Sequence, residues 1–247
     1  MAMKYGLQLY SVRDAAKDSV ENMLSRVAEM GYSMVESAGF YDLTAAELKD
    51  LLQKNGLTLC STHTSVRRLT EELDETIAYH KEVGCSNIVI PGTKIDTKEQ
   101  VDALVDLINS IQPKIEAAGM KLHFHNHSKE WLPNSDGIIT QDELASRTKV
   151  CFEIDTFWAF NAGRDPLEML DKYADRVSII HLKDGIPASG DTAAIGKALG
   201  EGKAPVLAVR QKAIEMGLTV VVESEGLDPC GLDEVERCSK FLNSLEK

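Results

Sequence analysis

The sequence has no long apolar run and almost no clustered positive charge. In its 247 residues, no segment approaches the roughly 18 apolar residues that a membrane-spanning helix needs, and the first residues lack the apolar core of a secretory signal. The longest basic run is the pair Arg67-Arg68, and the net charge is −12. A chain with this charge would repel a phosphate backbone. We therefore expect a cytoplasmic protein with no membrane and no nucleic-acid partner.

Cysteine and proline are also scarce. The 5 cysteines are an odd number without C-x-x-C spacing, which favours reduced, mostly buried thiols over disulfides or zinc ligands. With 7 prolines and 17 glycines there is no low-complexity stretch, so the whole chain should fold. Since α/β barrels reach about 200 to 250 residues as one domain, we expect a single domain over residues 1–247.

The feature that organises the chain is a repeated pattern of an amphipathic stretch, a glycine and a short apolar run. It recurs at Gly31, Gly56, Gly84, Gly119 and Gly217. The glycine suits the left-handed residue that follows a helix, and the run after it is typical of a buried strand. Each repeat therefore predicts a junction from helix to strand.

Eight strands are predicted to alternate with helices. They are Tyr5–Leu9, Ser33–Glu36, Leu57–Ser61, Ile88–Ile90, Lys121–His125, Val150–Ile154, Val177–His181 and Thr219–Val222. This alternation fits either a closed barrel or an open doubly wound sheet. No G-x-G-x-x-G follows the first strand, so a dinucleotide-binding open sheet loses its main support. We predict an α/β fold, a single (β/α)8 barrel.

Four consecutive strands end in an imidazole or a carboxylate. Side chains alternate along a strand, and barrel active sites gather at the C-terminal strand ends. His125, Asp155, His181 and Glu223 all have the inward parity. Such N and O donors suit one Mn, Zn, Co or Fe ion better than Ca or Mg, which prefer oxygen alone. A lone strand-end His or Asp is commonly a hydrogen-bonding or helix-capping residue, but four on adjacent strands predict a metal site.

A family resemblance runs from the first strand to the last. It is carried by the strings GLQLYSVRD (6–14), FHNH (124–127), DTFW (155–158), HLKD (181–184), GEG (200–202) and VE (222–223). These resemble the sugar phosphate isomerase/epimerase family of the xylose-isomerase-like TIM barrels, a group that includes ketose 3-epimerases, inosose dehydratases and endonuclease IV. The resemblance implies a small sugar or sugar derivative as the substrate and one divalent metal ion. Barrels of this group often associate, so a homo-oligomer is compatible with it.

The chain departs from the epimerase pattern at one ligand. Epimerase members hold their metal with Glu, Asp, His and Glu after strands five to eight, and the two Glu residues exchange the proton. Asp155, His181 and Glu223 match the last three positions, whereas His125 stands where the first Glu would be. Epimerisation requires a base on each face of one carbon. Simple two-glutamate epimerisation is therefore in question.

Three further residues, in addition to Glu223, are candidates for a catalytic role. His127 and Glu130 follow the fifth strand, and Lys183 follows the seventh. Any of the three could supply the second acid or base, although Lys183 would need a lowered pKa to act as a base.

Substrate contacts are expected from Glu36, His63 and Trp158, which lie at or just after strand ends in positions that the resemblance assigns to the substrate. Glu36 could instead be a solvated turn residue, and Trp158 a packing residue. His80 lies in a charge-rich helical stretch and is expected at the surface.

The reaction predicted from these residues is metal-assisted proton transfer next to a carbonyl. A sugar isomerase or epimerase is the first hypothesis, and a lyase that acts on a keto-sugar, an inosose or a 3-keto-glycoside is the second. A non-catalytic sugar-binding barrel is a weaker third, and the acidic charge disfavours a DNA repair enzyme. Whether the substrate is phosphorylated is open, because the glycine-rich segment Gly185–Gly202 fits either phosphate-binding amides or a flexible loop.

Overall fold

Eight parallel strands close into a barrel in the computed structural model, which describes residues 4–246. They are β1 (Gly6–Gln8), β2 (Met34–Ala38), β3 (Thr58–His63), β4 (Asn87–Ile90), β5 (Lys121–His125), β6 (Cys151–Asp155), β7 (Val177–Leu182) and β10 (Thr219–Val222). A separate antiparallel hairpin, β8 (Asp184–Ile186) with β9 (Ile195–Lys197), follows β7. The order around the barrel is β1-β10-β7-β6-β5-β4-β3-β2. The predicted (β/α)8 barrel is confirmed.

Helices cover the outside of the barrel between the strands. They are α1 (Arg13–Asp18), α2 (Val20–Glu29), α3 (Ala45–Lys54), α4 (Val66–Glu71), α5 (Leu73–Val83), α6 (Lys98–Ala117), α7 (Thr140–Arg147), α8 (Thr156–Asn161), α9 (Pro166–Lys172), α10 (Val206–Met216) and α11 (Gly231–Ser244). Short 3₁₀ turns occupy Leu9–Val12 and Lys129–Trp131. As predicted, repeated glycines end helices: Gly84 after α5 and Gly217 after α10 have φ of 84° and 67°, a region that disfavours residues with a Cβ. Across residues 4–246, no helix combines the length and the apolar character that crossing a bilayer would require.

Side-chain alternation along the strands separates the hydrophobic core from the site. Phe124 and Ile154 are fully buried in the core, whereas their neighbours His125 and Asp155 point to the opposite face, toward the inside of the barrel. The five cysteines are free thiols as expected, but only Cys85 and Cys238 are buried, and the other three are partly exposed. The two-residue period that predicted the site is therefore the same period that builds the core.

His80 is buried, so the prediction that it lies at the surface is wrong. It lies on α5 with no exposed surface. Its Nε2 atom lies 2.6 Å from Thr62 Oγ1 on β3, and its Nδ1 atom lies 2.7 Å from the carbonyl oxygen of Thr76. Charged neighbours along the sequence suggested exposure, but this face of α5 packs on the strand, and both ring nitrogens have partners.

The burial of His80 predicts a loss of stability in mild acid. Burial lowers its pKa to about 4, whereas a histidine in the unfolded chain has a pKa near 6.5. Because the folded pKa is the lower one, the unfolded chain binds more protons, and stability falls as the pH drops from about 6.5 toward 4. In His80→Gln, the loss of unfolding free energy between pH 7 and pH 5, measured by urea denaturation, should be smaller by about 2 kcal/mol than in the wild type. An equal loss in both proteins would contradict this assignment.

Candidate metal centre

Four neighbouring strands bring the predicted ligands together at the C-terminal end of the barrel. His125 ends β5, Asp155 ends β6, His181 lies near the end of β7 and Glu223 follows β10. One donor atom from each lies within 4.8 Å of all the others, and all four side chains are buried. The order β10-β7-β6-β5 around the barrel makes these strand ends adjacent, which is why residues about 100 positions apart in the chain can meet.

The donor atoms are spaced as ligands of one ion would be. Asp155 Oδ2 lies 3.7 Å from both His125 Nε2 and His181 Nδ1, and His181 Nδ1 lies 3.3 Å from Glu223 Oε2. Ligands at about 2.0 to 2.2 Å from a zinc-like ion lie roughly 3 to 3.5 Å from one another, so the 3.3 Å separation fits directly and the two of 3.7 Å would have to shorten slightly. His125 Nε2 and Asp155 Oδ2 are also buried without a hydrogen-bond partner, which is costly unless a cation satisfies them. The four residues therefore fit a divalent metal.

Asp155 caps a helix and at the same time faces the other candidate ligands. Its Oδ1 atom accepts a hydrogen bond of 2.8 Å from the backbone N–H of Trp158 and caps helix α8. This contact fixes the carboxylate and leaves Oδ2 facing His125 and His181. Helix capping thus orients the metal-facing oxygen rather than competing with it.

His125 is also oriented from behind. Its Nδ1 atom lies 3.4 Å from the carbonyl oxygen of Pro91, the residue after β4. A proton on Nδ1 leaves the lone pair of Nε2 facing the other ligands. Burial lowers the pKa of His125 to about 4, so its ring is neutral and able to bind a metal at pH 7.

Lys183 is a buried cation beside the ligands. Its ammonium lies 2.9 Å from Glu223 Oε2 and 3.7 Å from Asp155 Oδ2, and it also contacts Glu225. Burial opposes its positive charge, but these carboxylates raise the pKa of Lys183 above its usual value. The lowered pKa that a lysine base requires is therefore absent. Lys183 stays protonated at neutral pH, so it can donate a proton but cannot accept one, and its raised pKa makes it a weaker acid than an ordinary lysine.

The carboxylates are correspondingly stabilised in their ionised form. Burial alone would raise the pKa of Glu223 and of Asp155, but the nearby Lys183 ammonium and His181 hold both pKa values below the usual range. The carboxylates in turn raise the pKa of His181 against the effect of burial. Even without a metal ion, the negative carboxylates and the positive Lys183 and His181 therefore stabilise one another's charges.

A cavity of about 530 Å³ opens above the ligands. His63, His125, His127 and Glu223 border it, together with residues that the sequence had not singled out. These are Tyr10, Ala38, Gly39, Phe40, Thr64, Ser65, Arg67, Arg68, Pro91 and Glu225. They come from several strand ends, loops and helix α4, so no short motif could have identified them, although Glu225 shares the parity of Glu223.

His127 and Glu130 lie at different depths of the site. The His127 ring packs 5.0 Å from the His125 ring and borders the cavity, and burial lowers its pKa to about 3. Glu130 accepts a hydrogen bond of 2.8 Å from the backbone N–H of His127, and burial raises its pKa. Neither belongs to the four-residue ligand set, and Glu130 supports the loop that carries His127.

The three residues expected to contact substrate are not equivalent. His63 borders the cavity with 11% of its side chain exposed. Glu36 has no exposed surface and is outside the cavity lining. The Lys183 ammonium lies 4.7 Å from the centre of the Trp158 ring, and Trp158 is also outside the cavity lining. Only the position of His63 supports direct contact with a substrate.

The glycine-rich segment after β7 binds an internal carboxylate. Asp184 Oδ1 accepts from the backbone N–H groups of Gly185 and Ala204 at 2.8 and 3.0 Å. Its Oδ2 atom accepts from Gly200 and Gly202 at 2.9 and 3.0 Å. A Cβ at position 202 would collide with the Asp184 carboxylate. We call these four N–H groups the amide nest; they are engaged by the protein itself and are not free for a phosphate.

Neutralising Asp184 should therefore destabilise this segment. In Asp184→Asn, the side-chain NH2 would face two of the nest N–H groups, and the charge-assisted bonds would be lost. We expect the unfolding free energy to fall by about 2 to 4 kcal/mol, measured by urea denaturation. The matched control is Asp191→Asn, an exposed position in the same hairpin, for which less than about 0.5 kcal/mol is expected. Equal stabilities of the two variants would contradict the role of Asp184.

The fold and the site define the chain as a (β/α)8 barrel with a candidate metal centre at the C-terminal strand ends. Within that class it belongs to the xylose isomerase-like TIM barrel family, whose model matches residues 24–244. The resemblance inferred from the sequence is thereby confirmed.

Curated relatives include the inosose dehydratase of Geobacillus kaustophilus, which is 28% identical over 189 residues, covering 66% of this chain and 61% of that protein. The inosose dehydratase of Clostridium beijerinckii is 26% identical over 191 residues, covering 68% of this chain and 64% of that protein. The chain thus spans less than two thirds of the length of these relatives.

Solved structures of similar fold include a sugar phosphate isomerase/epimerase from Parabacteroides distasonis, with a TM-score of 0.81 and 23% identity over 96% of each chain. An L-ribulose 3-epimerase has a TM-score of 0.72 and 14% identity, covering 99% of this chain and 94% of that one. At these identities the likeness establishes the fold.

Proposed function

We propose that this chain is a divalent-metal-dependent lyase. It would remove the proton next to the carbonyl of an unphosphorylated keto-sugar or inosose and expel the oxygen substituent on the next carbon. The observation that carries the proposal is the unequal character of the groups around the ligand set. Carboxylates and an ammonium, Glu223, Glu225 and Lys183, lie together, whereas His125 and His127 are neutral imidazoles. The curated relatives named inosose dehydratases support the same class.

His125, Asp155, His181 and Glu223 would hold one Mn, Zn, Co or Fe ion, the metals that such N and O donors favour. When bound, the ion supplies positive charge next to the carbonyl oxygen and so favours loss of the neighbouring proton. Because His125 Nε2 would be engaged as a ligand, that ring would have no free lone pair with which to act as a base.

Glu223 and Lys183 divide the proton transfers between them. Glu223 is ionised and borders the cavity, so it takes the proton from the carbon next to the carbonyl. The electron pair of that C–H bond moves toward the carbonyl oxygen, then returns to form the carbon–carbon double bond as the C–O bond to the leaving oxygen breaks. Lys183 is buried outside the cavity lining, but its ammonium lies 2.9 Å from Glu223, which borders the cavity, and it would give its proton to that oxygen. The products are an unsaturated ketone and water or an alcohol.

The charges around the cavity are the reason for proposing an unphosphorylated substrate. The amide nest is engaged by Asp184, and the floor of the cavity carries Glu223 and Glu225. The two cavity arginines are paired with glutamates: the exposed Arg67 with Glu71 and Glu72, and the half-buried Arg68 with Glu72. Neutral hydroxyl groups suit such a cavity better than a phosphate dianion.

Isomerisation or epimerisation, which the sequence alone favours, is the second candidate. The observation in its favour is His127, a neutral imidazole that borders the cavity beside His125. A neutral imidazole in that wall could serve as the base on the other face of the carbon, which epimerisation requires in addition to Glu223.

The deciding experiment is proton NMR of the metal-loaded protein in D2O with a panel of keto-sugars, an inosose and a 3-keto-glycoside. The lyase reaction consumes the substrate and gives vinyl proton signals of the unsaturated ketone. Epimerisation or isomerisation instead gives a deuterated sugar with all of its oxygens retained. Elemental analysis of the same sample, beside His125→Ala, should give about one metal per chain in the wild type and a loss in the variant. A wild type without metal after reconstitution would overturn both candidates.

A further inference from the structure

A second layer of polar side chains lies one step deeper in the barrel than the ligands. It consists of Gln8, Glu36, Ser61 and Glu153, which we call the inner polar layer. All four are completely buried. Glu153 precedes Asp155 by two residues on β6 and therefore faces the same way, one layer below it.

Glu36 is the most heavily hydrogen-bonded member of this layer. Its Oε1 atom accepts from Gln8 Nε2 at 2.5 Å and from His181 Nε2 at 2.7 Å. Its Oε2 atom accepts from Ser61 Oγ at 2.5 Å, and His63 Nε2 lies 3.2 Å from Oε1. A carboxylate held by this many donors cannot move or rotate without losing a buried hydrogen bond.

His181 connects the two layers through its two ring nitrogens. Its Nδ1 atom faces Glu223 Oε2 at 3.3 Å and Asp155 Oδ2 at 3.7 Å, within the ligand set. Its Nε2 atom faces Glu36. An imidazole that donates one N–H to a carboxylate has its other nitrogen free to bind a metal, and the partner raises the basicity of that nitrogen.

We propose that Glu36 is a positioning residue that fixes His181 as a metal ligand through Nδ1. It holds the proton of the ring on Nε2, sets the plane of the ring and increases the electron density on Nδ1. This inference rests on the metal dependence in the proposed function. It also gives Glu36 a role through another residue, in place of the direct substrate contact that its sequence position suggested.

A second metal ion, held by a different set of ligands that includes Glu153, is the competing explanation. His63, His125, Glu153 and His181 also bring donor atoms within 4.8 Å of one another. However, the nitrogen that His181 turns toward this group already donates to Glu36, whereas His125 Nε2 and Asp155 Oδ2 of the first set have no hydrogen-bond partner. The hydrogen bonds therefore favour one metal with a carboxylate behind its histidine ligand.

The test compares Zn²⁺ affinity in the wild type, Glu36→Gln and Ser61→Ala, measured by competition with a chromophoric chelator. Glutamine retains an acceptor for His181 but loses the charge, so we expect the dissociation constant to rise 10- to 100-fold. Ser61→Ala removes a hydrogen bond to the other oxygen of Glu36 and leaves the charge and the His181 contact, so less than about a threefold change is expected. Unchanged affinity in Glu36→Gln, or two Zn²⁺ per wild-type chain, would overturn the proposal.

A second measurement needs no variant. In the zinc-loaded, ¹⁵N-labelled wild type, long-range ¹H–¹⁵N NMR should find His181 protonated on Nε2 with Nδ1 bound to the metal. The reverse assignment would overturn the proposal even if Glu36→Gln fails to fold. A wild type that binds no Zn²⁺ would overturn the metal dependence of the proposed function together with this inference, whereas a failure confined to Glu36 would leave that function intact.

Discussion

Glu223→Gln is expected to lower kcat by about 10²- to 10⁴-fold, the range typical for loss of a general base. Glutamine is nearly isosteric and keeps an oxygen that can face the metal, but it cannot accept the proton from carbon at neutral pH. The wild-type carboxylate is buried and ionised beside Lys183 and His181. The measurements are kcat on the substrate identified by NMR and the rate at which deuterium from D2O enters the substrate. Both rates should fall together, because both begin with removal of the same proton.

Glu225→Gln is the matched control for that experiment. Glu225 lies two residues further along, borders the same cavity and contacts Lys183, but it is outside the ligand set. We expect less than about a tenfold loss of kcat, since Lys183 keeps its contact with Glu223. If Glu223→Gln keeps its metal and loses less than threefold in kcat, Glu223 is not the base.

The barrel could be predicted from the sequence because its signals are local and repeat. An apolar run after a helix-ending glycine marks a strand wherever it occurs, and the observed bounds of β5 and β10 agree with the prediction. That the four candidate ligands would meet could be predicted for a related reason. A strand alternates every two residues, so the parity of His125 within Lys121–His125 fixes the side to which it points before any neighbour is known.

The features that could not be predicted from the sequence depend on contacts between residues that are far apart in the chain. His80 has charged neighbours in the sequence but lies against Thr62 of β3. From the sequence, Lys183 could act as a base if its pKa were lowered. In the folded protein, the carboxylates that surround its ammonium raise that pKa instead. Asp184 directly follows Lys183 in the sequence. Its role as the acceptor of the amide nest depends on Gly200 and Gly202, which fold back over it.

These distant contacts decide between the two reactions more than the ligands do. Either reaction can use an ion held by two imidazoles and two carboxylates, and both begin with loss of the same proton. Elimination, unlike epimerisation, also needs a proton donor next to the oxygen that leaves. In this chain the proposed donor is a buried ammonium, Lys183, that has contacts with Asp155, Glu223 and Glu225, and this arrangement is the reason for proposing elimination before epimerisation.

Lys183→Met is therefore expected to separate the two proton transfers. The methionine side chain fills similar space but carries no proton, so we expect kcat for elimination to fall by about 10²- to 10⁴-fold. Exchange of the substrate proton with D2O should fall far less than in Glu223→Gln, because the base is still present. The loss should also shrink for a 3-keto-glycoside whose leaving group is a stabilised phenolate, since such a group departs without a proton.

The same variant also tests the charge balance of the centre. Without the ammonium, Asp155 and Glu223 lose a positive neighbour, and the metal-free protein should lose about 3 to 5 kcal/mol of stability. Metal binding should become tighter, because the ion no longer shares Glu223 with a competing cation. Lys197→Met, which removes a partly exposed ammonium 3.6 Å from Asp228, is the control and should alter neither metal affinity nor turnover by more than about threefold. Weaker metal binding in Lys183→Met would mean that the ammonium organises the ligands, and equal losses of exchange and elimination would remove it from the role of acid.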